Sequence, residues 1–82
     1  MTARLFVLKT PENQGVVDVA EGDPSISVVP VGPYFSISAP STIVIDRRAT
    51  GCRHAVWYSA VAGLDQSVIT QHDKDALRVE AR

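Results

Sequence analysis

Valine and isoleucine occupy 17 of the 82 positions of this chain, whereas leucine occupies only four. β-Branched side chains are stiff about their first torsion, so they lose freedom in a helix but pack well on the pleated surface of a sheet. Leucine, a good helix former, is scarce. This imbalance predicts an all-β or mostly β fold, and it is the strongest constraint that the sequence places on the architecture.

Turn residues divide the chain into short apolar segments at the spacing of a small antiparallel sandwich or barrel of about six to seven strands. Pro30 removes a backbone donor from one segment and indicates an edge strand or a bulge. Residues 47–53, which include a glycine, are expected to form a loop. The expected strands before residue 67 are 4–9, 16–21, 26–31, 34–39, 42–46 and 54–62.

The last segment, residues 67–82, allows two interpretations. As a hairpin, residues 67–71 and 76–81 flank a polar turn at 72–75. As a short C-terminal helix, Asp65 or Ser67 would provide the N-cap, and the apolar residues would share one stripe. Three consecutive β-branched residues at 68–70 and an alternating tail favour the hairpin.

The length predicts a single β-domain spanning residues 1–82, near the lower end of what folds alone. A chain of this size buries about 60–65% of the surface that its unfolded form exposes. Cys52 is the only cysteine, so an internal disulfide is excluded. A structural zinc site takes about four ligands, and Cys52, His54 and His72 supply at most three. We therefore expect no metal and no cofactor, and stability from a well-closed sheet or from association.

The charge and hydropathy of the chain argue against a nucleic-acid partner, a membrane span and a secretory signal. The net charge is −1, without the basic excess of a nucleic-acid binder, so nucleic acid is not an expected partner. No apolar run approaches the roughly 20 residues of a membrane span. The N-terminal residues 1–8 carry one positive charge before a short apolar stretch, which is too short for a secretory signal. The default expectation is a cytoplasmic setting.

Several segments are apolar on both strand faces, and this pattern bears on assembly. Residues 5–8, 43–45 and 55–58 are continuous apolar runs, and successive strand residues point to opposite faces of a sheet. Such strands would expose Leu5 or Phe6, and Trp57 or Tyr58. Large exposed apolar patches usually mark interaction surfaces. We therefore expect a homo-oligomer, most simply a two-fold dimer; the alternative is a monomer with an amphipathic aromatic residue at its rim.

Residues 46–54 form the only dense polar cluster in the sequence. Arginine forks suit carboxylates and phosphates, and a loop containing Gly51 could present backbone N–H groups to the same anion. The alternative is a solvated hairpin loop whose arginines pair with the carboxylates of Asp46, Asp65 or Glu80. The cluster predicts contact with a small anionic ligand or a protein partner, through Arg47, Arg48, Arg53, His54 and the nearby Trp57.

These features favour a small self-associating β-domain that acts as a non-enzymatic binding or structural module. The first alternative is a small enzyme for an anionic substrate, with His54 or His72 as general base and the arginines as a clamp. A thiolate at Cys52 beside His54 could be a nucleophile, although a lone cysteine is more often an apolar filler. The second alternative is a small-barrel nucleic-acid binder of the oligonucleotide-binding or SH3-like type.

Overall fold

Two antiparallel sheets dominate the computed structural model, which describes residues 1–82. Strands contain 46% of the residues and helices 26%, which confirms the mostly β prediction. The elements in chain order are β1 (Ala3–Leu8), a 3₁₀ turn (Pro11–Asn13), α1 (Gln14–Glu21), β2 (Ser27–Val31), β3 (Tyr34–Ala39), β4 (Thr42–Asp46), α2 (Arg47–Thr50), α3 (His54–Ser59), β5 (Val61–Leu64), β6 (Ser67–His72) and β7 (Ala76–Ala81).

The seven strands form one four-stranded and one three-stranded sheet. The strand order is β2-β3-β1-β5 in the first sheet and β4-β7-β6 in the second. Between β2 and β3, Gly32 adopts a φ of +57° in a two-residue turn, as a tight hairpin requires. The chain passes from the first sheet to the second across Pro40 and Ser41, between β3 and β4. The two sheets stay separate, so the architecture is a sandwich rather than a closed barrel.

The core lies between the two sheets. Alternation along each strand sends every second side chain inward, and the inward set is rich in isoleucine, valine and leucine. The most deeply buried of these strand residues are Leu5, Val7, Ile37, Ile43, Ile45, Leu77 and Val79.

The C-terminal segment is the β6–β7 hairpin, which confirms the interpretation favoured by the sequence. Asp73 closes its turn, because its Oδ1 accepts hydrogen bonds from the backbone N–H groups of Asp75 at 2.9 Å and Ala76 at 3.1 Å. The short helix considered as the alternative is absent.

The strand expected at 16–21 is wrong, because these residues lie in helix α1. The spacing of Val16, Val17 and Ala20 places all three on one helical face, where they are buried. The helix contacts β2 and β4, the edge strands on one side of the sandwich, and closes that side. Burial of this face against both sheets therefore outweighs the weak preference of valine for strands.

The strand expected at 54–62 is also wrong over most of its length, because residues 54–59 form helix α3 and only the end belongs to β5. Trp57 points into the core and Tyr58 is half-exposed. The loop expected at 47–53 begins with helix α2. Asp46 caps that helix by accepting a hydrogen bond from the Ala49 N–H at 3.2 Å, and Gly51 ends it with a φ of +70°.

Two residues that supported the expectation of a dimer are buried in the core of a single chain. Leu5 and Trp57 are 0% and 1% exposed, so neither needs a second copy for its burial. Phe6 is half-buried on strand β1, as alternation allowed, whereas Tyr58 is half-exposed on helix α3. The homo-oligomer stays a prediction.

None of the helices combines the length and the hydropathy needed to cross a membrane.

Candidate functional site

Exposed apolar side chains cover the outward side of the four-stranded sheet. The pairing register places Leu8, Tyr34 and Val31 in one row across β1, β3 and β2, and Phe6, Ser36 and Val29 in the next. Leu8, Val29, Val31 and Tyr34 are between 37% and 53% exposed. We call this surface, formed by Phe6, Leu8, Val29, Val31, Tyr34 and Ser36, the outer sheet face.

The outer sheet face is apolar in the middle and polar at one end. Phe6 and Tyr34 contact each other edge to face, with ring centroids 6.5 Å apart. Gly63 lies opposite Phe6 and adds no side chain, so a shallow apolar pocket remains beside the two rings. Arg4 is the one charged residue on the outward side of these strands, and its guanidinium pairs with Asp65 at 3.1 Å. An apolar centre with a polar rim is the usual anatomy of a protein–protein interface.

One edge of this sheet is protected against strand addition. Strand β2 is one of its two edge strands, as Pro30 indicated, and this proline cannot donate a backbone hydrogen bond at the edge. Proline is one of the devices by which natural sheets block pairing between edges. At the β2 edge, a partner is therefore expected to cover the outer sheet face rather than extend the sheet.

The structure places Arg47 and Arg48 against the β6–β7 turn. The Arg47 guanidinium donates to the backbone carbonyl of Lys74, and also to that of Cys52 at 3.4 Å. Arg48 forms an ion pair with Asp75, at 3.8 Å. These two arginines therefore attach helix α2 to the hairpin, but neither pairs with Asp46, Asp65 or Glu80, the carboxylates expected in the alternative.

Trp57 joins helix α3 to the same hairpin from inside the protein. Its Nε1 donates to the backbone carbonyl of Asp73 at 2.7 Å, and His72 Nε2 lies 3.2 Å from the Trp57 carbonyl oxygen. The indole ring meets the His72 ring edge-on, at 5.5 Å between centroids. Trp57 thus lies in the core, whereas Arg53 and His54 are exposed at the start of α3.

The three residues considered as metal ligands do not form a metal-binding group. Cys52 is buried, with its Sγ 3.8 Å from the backbone oxygen of Glu12. His54 and His72 flank the Tyr58 ring instead, at centroid distances of 6.5 Å and 5.0 Å. The surface depressions are lined by other residues than Arg47, Arg48, Arg53 and His54. The enzyme alternative requires a cleft lined by a histidine and arginines, and these four side chains do not line any of the surface depressions.

The hydrogen bonds at the hairpin turn make the stability of the protein depend on pH. Backbone N–H groups of Asp75 and Ala76, and the side chain of Gln71, lower the pKa of the Asp73 carboxyl. A carboxyl whose pKa is lower in the folded than in the unfolded state stabilises the fold when it is ionised. This stabilisation is present at a pH above the unfolded pKa of about 3.9, and it is lost as the pH falls through the folded pKa. We expect Asp73→Asn, which keeps a side-chain acceptor, to unfold more easily than the wild type at pH 7.

Urea unfolding at pH 7 and at successively lower pH measures this difference. The two free energies of unfolding should converge once the pH falls below the folded pKa of Asp73, because the wild-type carboxyl is then protonated. A difference that stays constant with pH would contradict the assignment of this effect to the Asp73 charge.

The geometry defines a small two-layer β-sandwich with three short helices and an exposed apolar sheet face. No protein-family model and no curated protein matches the chain. Among solved structures, a chain in the complex of phenol hydroxylase with its regulatory protein is similar, with a TM-score of 0.78 and 15% sequence identity over the whole of both chains. At this identity the similarity establishes the fold alone.

Proposed function

We propose that this chain is a non-catalytic regulatory module that binds a larger enzyme through the outer sheet face. The observation that carries the proposal is an apolar sheet face that stays exposed although the core is complete without it. The similarity over the full length to a chain from a hydroxylase–regulatory protein complex supports a hydroxylase as the partner class.

The composition of the face suits a protein partner. Burial of Val29, Val31 and Tyr34 removes apolar area from water, which is favourable by about 25 cal/mol per Å². Removing the serines of β2 and β3 from water costs less free energy than removing charged groups, and Arg4 already has a carboxylate partner. An interface here would therefore gain hydrophobic free energy without burying an unpaired charge.

Lysine substitutions on strand β2 test the proposal. We expect the Val29→Lys/Val31→Lys variant to weaken binding to phenol hydroxylase, freed of its own regulatory protein, by about tenfold or more, because charges would be buried in an apolar contact. The matched control is Val68→Lys, which changes a valine that is 39% exposed on another edge strand, β6. Isothermal titration calorimetry measures the affinity, and urea unfolding checks that each variant stays folded.

Two outcomes would contradict the proposal: no binding by the wild-type chain, or an equal loss of affinity with Val68→Lys. A second copy of this chain is the competing occupant of the face, in line with the homo-oligomer expected from the sequence. Light scattering separates the two, because a dimer that Val29→Lys/Val31→Lys dissociates would assign the face to self-association.

Contact with a small anion at the arginine cluster is the second candidate function. Arg53 and His54 are exposed, and Arg53 forms no ion pair, whereas Arg47 and Arg48 are engaged with the hairpin turn. The candidate therefore rests on two of the five residues that the sequence indicated. Anion binding at this cluster stays a prediction.

A further inference from the structure

A shallow apolar groove lies between the C-terminal end of helix α1 and the outward side of strand β4. Val44 projects from β4 and is half-exposed, with Val19 of α1 beside it. The groove is open to solvent rather than enclosed, which suits a peptide segment better than a small molecule. We call this surface the acidic groove; its lining residues are Val19, Gly22, Asp23, Pro24, Val44, Asp46 and Ala49.

The two charged residues that line this groove, Asp23 and Asp46, are both acidic. Between Lys9 and Arg47 the chain has five acidic residues and no basic one. None of the five forms an ion pair; the three ion pairs in the structure are Arg4–Asp65, Arg48–Asp75 and Arg78–Glu80.

Three arginines border the region, and each is bonded elsewhere; Arg47, next to Asp46 in the chain, donates to the backbone carbonyls of Lys74 and Cys52. Arg78 lies opposite Val44 in the β4–β7 register, but its guanidinium is 3.5 Å from Glu80. Arg48 in helix α2 is paired with Asp75. The groove itself is lined by two carboxylates and no cation.

Hydrogen bonds hold both carboxylates in place. Asp23 accepts from the backbone N–H of Ser25 at 2.9 Å and from its hydroxyl at 2.8 Å. These bonds lower the pKa of Asp23 further below neutral pH, where an aspartate is already charged. Asp46 accepts from the Ala49 N–H as the cap of α2. Both anions are therefore in fixed positions at the rim of an apolar floor.

We propose that the acidic groove binds a basic amphipathic peptide segment of a protein partner. Apolar side chains of the segment would pack on Val19 and Val44, and its lysines or arginines would pair with Asp23 and Asp46. Charge complementarity of this kind speeds association and excludes acidic competitors, and an amphipathic segment in an apolar groove is a recurrent mode of recognition. This site is separate from the outer sheet face, so one chain could engage two surfaces at once.

A fluorescein-labelled amphipathic peptide of lysine and leucine is the probe, with glutamate replacing lysine in the control peptide. We expect the lysine peptide to bind, and its NMR shift changes to cluster at Val19, Val44 and Ala49. The Asp23→Asn/Asp46→Asn variant removes two charges and keeps both side-chain acceptors. It should weaken binding, measured by fluorescence anisotropy, by about tenfold.

The matched control is Glu12→Gln/Asp65→Asn, which makes the same change in net charge at two positions that do not line the groove. It should leave the affinity nearly unchanged. Equal weakening by both double variants, shift changes elsewhere, or no binding at millimolar peptide would overturn the proposal. None of these outcomes bears on the outer sheet face, because Val29 and Val31 lie outside the groove.

Discussion

Replacement of Trp57 by alanine is expected to lower the free energy of unfolding by about 3–5 kcal/mol. The side chain is almost fully buried, packs against the ring of His72, and donates from Nε1 to the Asp73 carbonyl. Its loss would leave both a cavity and an unpaired carbonyl. Because small domains have a total stability of only about 5–15 kcal/mol, the variant should lose a large part of its stability.

The neighbouring residue supplies the control for this prediction. Tyr58 is half-exposed on the other side of α3, so we expect Tyr58→Ala to cost well under half as much as Trp57→Ala. Urea unfolding followed by far-ultraviolet circular dichroism measures both without relying on tryptophan fluorescence. Equal losses for the two variants would mean that the structure assigns the wrong aromatic residue to the core.

Gly15→Ala is expected to destabilise the protein by about 1–3 kcal/mol, because α1 and α2 approach too closely for a side chain. A Cβ built at Gly15 would lie 2.0 Å from the backbone oxygen of Thr50, so one of the two helices must shift. In an open helix the same substitution would be stabilising by about 1 kcal/mol. The sign of the effect therefore reports on this contact.

Gly22→Ala, just beyond the other end of α1, is the matched control. A Cβ there would meet only the backbone oxygens of Val19 and Asp18, at 3.5 Å and 3.6 Å, which are ordinary contact distances. Thermal and urea unfolding of the two variants should give a clear loss for Gly15→Ala and little change for Gly22→Ala. If Gly15→Ala were as stable as the wild type, the close packing of α1 on α2 would be incorrect.

The features that the sequence predicted correctly depend on local chemistry. The excess of valine and isoleucine indicated sheets, Pro30 indicated an edge, and the run of β-branched residues at 68–70 indicated the last hairpin. Each of these signals acts within a few residues, so it can be interpreted without knowledge of the tertiary structure.

Helices α1 and α3 formed where strands were expected because tertiary contacts decided their structure. Val16, Val17 and Ala20 share a helical face, although the two valines by themselves favour a strand. A usable signal was present in Pro11, since proline is favoured in the first turn of a helix and the chain turns helical there. In α3, the adjacent Trp57 and Tyr58 were expected on opposite faces of a strand. The six-residue helix also directs one of these side chains into the core and the other towards solvent.

The outer sheet face could not be predicted for a different reason. Its residues come from three strands, and only the register of β1, β3 and β2 brings Phe6 and Leu8 beside Val29, Val31 and Tyr34. The sequence pointed instead to the arginine cluster, where Arg47 and Arg48 serve the hairpin turn. A dense polar segment is visible in a sequence, whereas an apolar surface assembled from distant strands is not.

Methyl NMR of this chain with purified phenol hydroxylase that lacks its regulatory protein tests the central claim most directly. The methyl signals of Leu8, Val29 and Val31 should shift or broaden on addition of the enzyme, while that of Val68, exposed on the other sheet, should not. Changes centred on Val68 with Leu8, Val29 and Val31 unaffected would contradict the assignment of the outer sheet face as the docking surface.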